Sequence, residues 1–86
     1  MARYRIEVSA TAEKQLGKLP RHDQVRIARA ISLLAETPRP RGCRKLTGYE
    51  DIFRIRVGTY RVIYSVEQAE ILIIILKIGR RKDIYR

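Results

Sequence analysis

The stretch IFRIRVGTYRVIYSV, residues 52–66, decides the fold. Apolar and polar side chains alternate from Ile52 to Val57 and again from Tyr60, the period-two pattern of half-buried strands. Gly58-Thr59 separates the two runs with glycine first, which suits a type II′ hairpin turn. The turn sets the register. Val57 pairs with Tyr60, Arg56 with Arg61, and Arg54 lies opposite Ile63. Phe53, Ile55, Val57, Tyr60, Val62 and Tyr64 then make a core face, and Arg54, Arg56 and Arg61 the other. Like charges directly opposed on a sheet are destabilising. Three arginines and no acid on one small face therefore point to an anionic ligand rather than to stability. Fixed positive charge there can neutralise phosphates and stabilise the extra negative charge of a phosphorane-like transition state.

Outward from the hairpin, a turn around Gln68-Ala69 leads into Ile71-Leu-Ile-Ile-Ile-Leu-Lys-Ile78, a run apolar on both faces and so predicted as a central strand. Lys77 inside it reads as a strand-end lysine that snorkels. Gly79 closes the strand, and the basic tail Arg80-Arg-Lys-Asp-Ile-Tyr-Arg86 follows. On the N-terminal side, residues 37–50 read as a loop with four cations: Arg39, Arg41, Arg44 and Lys45. Before it, Ile27, Ile31 and Leu34 mark a helix from about Arg21 to Glu36, ended by Pro38 and Pro40. Pro20 separates this helix from a shorter one carrying Ala12, Leu16 and Leu19, with Ser9 as N-cap and Glu13 near the positive end of its dipole. Tyr4-Arg5-Ile6-Glu7-Val8 alternates and reads as a short strand. The expected fold is α+β: a strand and a helical hairpin packed on a largely antiparallel sheet of about four strands, in the order β-α-α-β-β-β.

Composition narrows the function. The 86 residues make a single domain, residues 1–86. Lys and Arg number 19 against 9 Asp and Glu, for a net charge of +10, and arginine supplies 14 of the cations. Such a balance favours a polyanionic partner, and arginine is the better fork for phosphate. One cysteine, Cys43, excludes a disulfide-stapled secreted fold. One His and one Cys cannot make a Cys/His zinc site, and no metal or cofactor is expected. The longest apolar run is six residues, far short of a membrane span. A soluble cytoplasmic protein with no membrane partner is the expectation. His22 reads as solvated or capping, and Glu50-Asp51 as a turn.

The chain resembles the RelE/ParE superfamily of toxins from toxin–antitoxin pairs over essentially its whole length. The matching pieces are Ala12-Glu-Lys-Gln-Leu16 ending at Leu19-Pro20; Lys45-Leu-Thr-Gly48; Phe53-Arg-Ile-Arg-Val57; Tyr60-Arg-Val-Ile-Tyr64; and Ile78-Gly-Arg-Arg-Lys-Asp-Ile-Tyr85. The resemblance implies a ribosome-dependent endoribonuclease that cuts messenger RNA in the ribosomal A site without a metal. By match to the family pattern, Arg54 and Arg56 take the second-strand cations, Arg61 the third-strand arginine, Arg81 the C-terminal arginine and Tyr85 the terminal tyrosine. Arg44, Lys45, Arg80 and Lys82 are candidate contacts to RNA and the ribosome. The chain departs from relatives that carry Lys where Arg54 and Arg56 stand, or His where Arg80 stands. Arginine is effectively never deprotonated, which leaves Tyr85 as the nearby titratable candidate.

The implied partners are a cognate RelB-like antitoxin, messenger RNA on the ribosome and ribosomal RNA. If Arg61, Ile63 and Ser65 share a face with Leu72, Ile74 and Leu76, that apolar area would be shielded by the antitoxin or by the chain's own tail. Two readings compete with the nuclease. One is a ParE-type DNA gyrase inhibitor. The other is a catalytically inactive RelE-fold protein that only binds nucleic acid or antitoxin.

Overall fold

The computed structural model describes residues 3–80. Its elements are β1 (Arg5–Val8), α1 (Ala10–Gly17), α2 (Arg21–Leu34), β2 (Arg44–Lys45), β3 (Ile52–Val57), β4 (Tyr60–Glu67), a 3-10 turn (Gln68–Glu70) and β5 (Leu72–Arg80). The five strands form one sheet in the order β1-β5-β4-β3-β2. Only β1 and β5 run parallel. The doubly apolar run is indeed flanked on both sides, by β1 and β4.

Both helices cover one face. Ala12 of α1 and Ile27, Ile31 and Leu34 of α2 pack on Phe53, Ile55, Tyr60, Val62, Tyr64, Val66, Ile73, Ile75 and Ile78. Ser9 caps α1: its hydroxyl accepts from the Ala12 amide at 3.1 Å and donates to the Leu76 carbonyl. The cap thus also anchors the start of α1 to β5. Pro20 supplies the N-cap of α2, where a missing N–H costs nothing. α2 stops at Leu34, two residues before the expected end. The Ala35 and Glu36 amides bond back three residues, to Ser32 and Leu33, which tightens the chain ahead of Pro38.

The segment read as a loop contains the fifth strand. Arg44 pairs with Arg54 and Lys45 with Phe53. Two residues are too few to show a period, so the alternation that announced β3 and β4 had nothing to act on here. The hairpin pairs as expected: Arg56 with Arg61, Arg54 with Ile63, Val57 with Tyr60. Gly58 sits at φ 63°, while Ile71 is the only non-glycine with positive φ among the described residues, which is the type II′ pattern. A Cβ at Gly58 would also lie 3.0 Å from the Arg26 guanidinium.

Candidate functional site

The site is built on the sheet face that the helices leave uncovered. β3 and β4 turn Arg54, Arg56 and Arg61 to this face because their neighbours Phe53, Ile55, Tyr60 and Val62 are committed to the core. Arg61 is only 8% exposed, Arg54 is half-buried and Arg56 is exposed. Neither Arg54 nor Arg61 lacks a polar or electrostatic partner, as a buried charge requires.

β2 adds a fourth arginine. Its pairing puts Arg44 directly across from Arg54 on the same face. The loop that carries it is fixed by side chains. The Tyr64 hydroxyl donates to the Pro38 carbonyl at 2.7 Å, and the Arg39 guanidinium lies 5.3 Å over the Phe53 ring. Burial pushes the Tyr64 phenol well above its ordinary pKa; the neighbouring Cys43 thiol adds to the shift and Arg39 opposes it. Tyr64 is thus held as a neutral donor.

β2 pairs with β3 only at Phe53 and Arg54, so the edge of β3 beyond them has no strand partner among the described residues. A cleft of about 650 Å³ wraps around that edge. Ala30, Leu33 and Leu34 of α2 with Ile55 and Val57 line its apolar side; Arg41, Arg44, Arg54, Arg56 and Arg61 line its basic side. Leu33 is 62% exposed, a large apolar residue left open beside the arginines. The turn end of the hairpin is held from the helix side. The Tyr60 hydroxyl donates to Asp23 Oδ2 at 2.9 Å, and the exposed His22 lies 3.2 Å from Asp23 Oδ1.

The structure therefore brings together Arg44, Arg54, Arg56 and Arg61. Lys45 and Arg80 fall elsewhere by register. Lys45 pairs with the core residue Phe53. Arg80 pairs with the core residue Tyr60, and its guanidinium lies 5.8 Å from that ring. Both positions belong to the helix-covered side of the sheet, where they sit at its margin. Arg81, Lys82 and Tyr85 lie outside the described residues. Arg41, singled out in the sequence only as part of a basic loop, joins the cleft. The apolar area expected beside the arginines is smaller than anticipated. Ser65 does pair with Ile74, but Ile63, Ser65 and Leu72 are already buried, and only Ile74 and Leu76 stay half-buried. Leu72→Asp would thus act on folding as much as on any partner.

Such an arrangement can grip anions. Two opposed guanidiniums can clasp one phosphate between them, and fixed charges placed where negative charge develops stabilise a transition state without reorganising.

The chain is also similar to known toxins along nearly its whole length. A family model described as the ParE toxin of the type II toxin–antitoxin system parDE matches residues 6–85. RelE1 of Methanocaldococcus jannaschii is 30% identical, over 98% of this chain and 97% of that one. Toxin RelG of Mycobacterium tuberculosis is 32% identical, over 96% and 97%. In the crystal structure of the archaeal RelE–RelB complex from Pyrococcus horikoshii, one chain superposes with a TM-score of 0.81 at 36% identity, covering 91% of this chain and 94% of that one.

Proposed function

Because the chain belongs to the RelE/ParE family and is a RelE-like toxin of a type II toxin–antitoxin system, we propose that it is an endoribonuclease that cleaves messenger RNA in the ribosomal A site. The observation that carries this is the Arg56–Arg61 pair, set opposite each other on an open face with Arg54 and Arg44 beside them. That face supplies the fixed positive charge that phosphodiester cleavage uses and that a purely structural role would not keep.

The RNA 2′-oxygen attacks the adjacent phosphorus, the bond from phosphorus to the 5′-oxygen breaks, and a 2′,3′-cyclic phosphate and a 5′-hydroxyl result. Arg61, the most buried of the four, holds the reacting phosphate. Arg54 and Arg56 bind the backbone and stabilise charge gained by the non-bridging oxygens. Tyr85, as phenolate, takes the 2′-proton or else orients the base, and Arg81 stabilises the leaving 5′-oxygen, which gains its proton from Arg81 or from water. Arg44 guides RNA into the cleft, Lys82 contacts RNA or ribosome, and Lys45 and Arg80, at the margin of the helix-covered side, contact the ribosome. Arginine cannot serve as a base, so the site orients and neutralises more than it activates. This is the profile of an enzyme that relies on the ribosome to align its substrate. No step calls for a metal or cofactor. The relative from Pyrococcus horikoshii was solved with RelB. A RelB-like antitoxin of this chain would set an apolar side chain against Leu33 and Leu34 and acidic groups against the arginines of the same cleft.

Primer extension on a defined messenger in a reconstituted translation reaction tests the proposal. Cuts inside the A-site codon that vanish without ribosomes, and with Arg61→Ala, are expected. Intact messenger would overturn it and turn attention to DNA gyrase supercoiling.

A further inference from the structure

β5 does not keep step along its whole length. Ile73 and Ile75 point into the core, paired with Val66 and Tyr64. At an unbroken period of two the next residue to point inward would be Lys77. Instead the register shifts between Ile63 and Tyr64: Tyr64 pairs with Ile75, but Ile63 pairs with Lys77. β5 thus uses one residue more than β4. The bulge reverses the phase. Ile78 enters the core, and Lys77 turns, exposed, to the face of Ile63, which is the arginine face. A bulge disrupts the ladder locally, and its characteristic use is to re-aim a side chain beside a functional site. Here it takes a lysine out of the core and sets it next to the arginines.

The register turns this into a layout. Arg44, Arg54, Ile63 and Lys77 stand in one row across β2, β3, β4 and β5. Arg56, Arg61 and Gly79 stand in the adjacent row. Lys77 is a diagonal neighbour of Arg61, at a backbone separation of about 7–8 Å. Ile63 lies between Lys77 and Arg54, and Gly79 leaves the place opposite Arg61 without a side chain. The two form an uncharged floor, flanked by cations on three strands.

Resting on the nuclease reading of this face, we propose that Lys77 is an RNA-binding residue that holds the phosphate next to the one held by Arg61. The RNA backbone then runs across the strands, from β3 over Ile63 and Gly79 to β5, and not along the hairpin. An ammonium serves as a point charge at such a flanking position, where the bidentate fork of arginine is not needed.

The test uses the full chain and a short, uncleavable 2′-O-methyl oligoribonucleotide, with binding measured over a range of salt. Each neutralised phosphate of a single strand contributes about 0.7 to the slope of log K against log salt. Lys77→Gln is expected to lower the slope by that amount, Lys77→Arg to restore it, and Lys14→Gln, an equal charge loss on the exposed side of α1, to leave it unchanged. In the ribosome assay Lys77→Gln should raise KM and leave kcat near its starting value. An unchanged slope, or an equal loss from Lys14→Gln, overturns the proposal. So does an effect confined to binding of a polyglutamate peptide, which would assign Lys77 to an acidic protein. The slope is read without cleavage, so an inactive wild type would refute the nuclease and still decide Lys77.

Discussion

At its open end the β3–β4 hairpin gathers Asp51, Glu67 and Glu70; at its turn end it sets Arg56 against Arg61. Both ends crowd like charges, but the side chains respond differently. The Glu67 carboxyl is pushed above its ordinary range, by lost solvation first and then by Asp51 and Glu70. The acidic end can therefore relieve part of its repulsion by holding a proton more tightly. A guanidinium has no such recourse, because it stays charged at any pH a cell meets. Repulsion at the turn end is met by partners of opposite charge and never by loss of a proton. A cluster of carboxylates is thus a buffered surface, whereas a cluster of arginines keeps its full charge at every pH.

The largest expected effects contrast the two sides of the same sheet. Arg61→Ala should lower cleavage by about 10²–10³-fold, the usual consequence of removing one preorganised charge from a transition-state site. Ile75→Ala, at a position with no exposure, should cost about 2–5 kcal/mol in urea unfolding and leave cleavage per folded molecule unchanged. If Arg61→Ala lost activity only in proportion to its folded fraction, the division of labour between the two faces would not hold.

A smaller effect belongs to the bond that positions the β2 loop. Tyr64→Phe leaves the Pro38 carbonyl without its donor and should cost about 1–2 kcal/mol near neutral pH. The phenol's folded pKa is raised above its unfolded value. Its contribution is therefore full well below pH 10, at which free tyrosine is about half ionised, and is lost as pH rises further. Wild type should lose stability along an alkaline limb that Tyr64→Phe lacks, as equilibrium unfolding at a series of pH values would show. Parallel curves would mean that the phenol is not the titrating group.

Much of this site was legible in the sequence, and the rest was not for identifiable reasons. Gly58-Thr59 set the register, so the Arg56–Arg61 pair and the Arg54–Ile63 pair followed from counting. The helical stripe of Ile27, Ile31 and Leu34 placed α2 on the opposite face. β2 was invisible because two residues carry no period; Arg44 reaches the arginine face only through that pairing. The bulge was invisible because Ile71 to Leu76 is apolar at every position, and a run without alternation hides a change of phase. Lys77 was its one polar marker. Arg80 was a candidate RNA contact, and the same change of phase puts it opposite Tyr60, on the helix-covered side.

The smallest effects return to the two ends of the hairpin and separate them by pH. Arg56→Ala removes one member of the opposed pair and should raise stability by about 0.5 kcal/mol in the free protein, with little change across the pH range because guanidinium does not titrate there. Bound oligoribonucleotide should reverse the sign, since the variant loses a phosphate contact. Glu67→Gln should also stabilise near neutral pH, by removing a charge from beside Asp51 and Glu70. The folded pKa of Glu67 lies above its unfolded value. The stability that this proton confers is therefore full below the unfolded carboxylate range, around pH 4, and is lost as pH rises through the folded value. The advantage of Glu67→Gln must then shrink toward acid pH while that of Arg56→Ala persists. Thermal midpoints of the two variants and wild type at neutral and acid pH decide the matter. Two gains that fade together would mean that the arginine end is buffered after all.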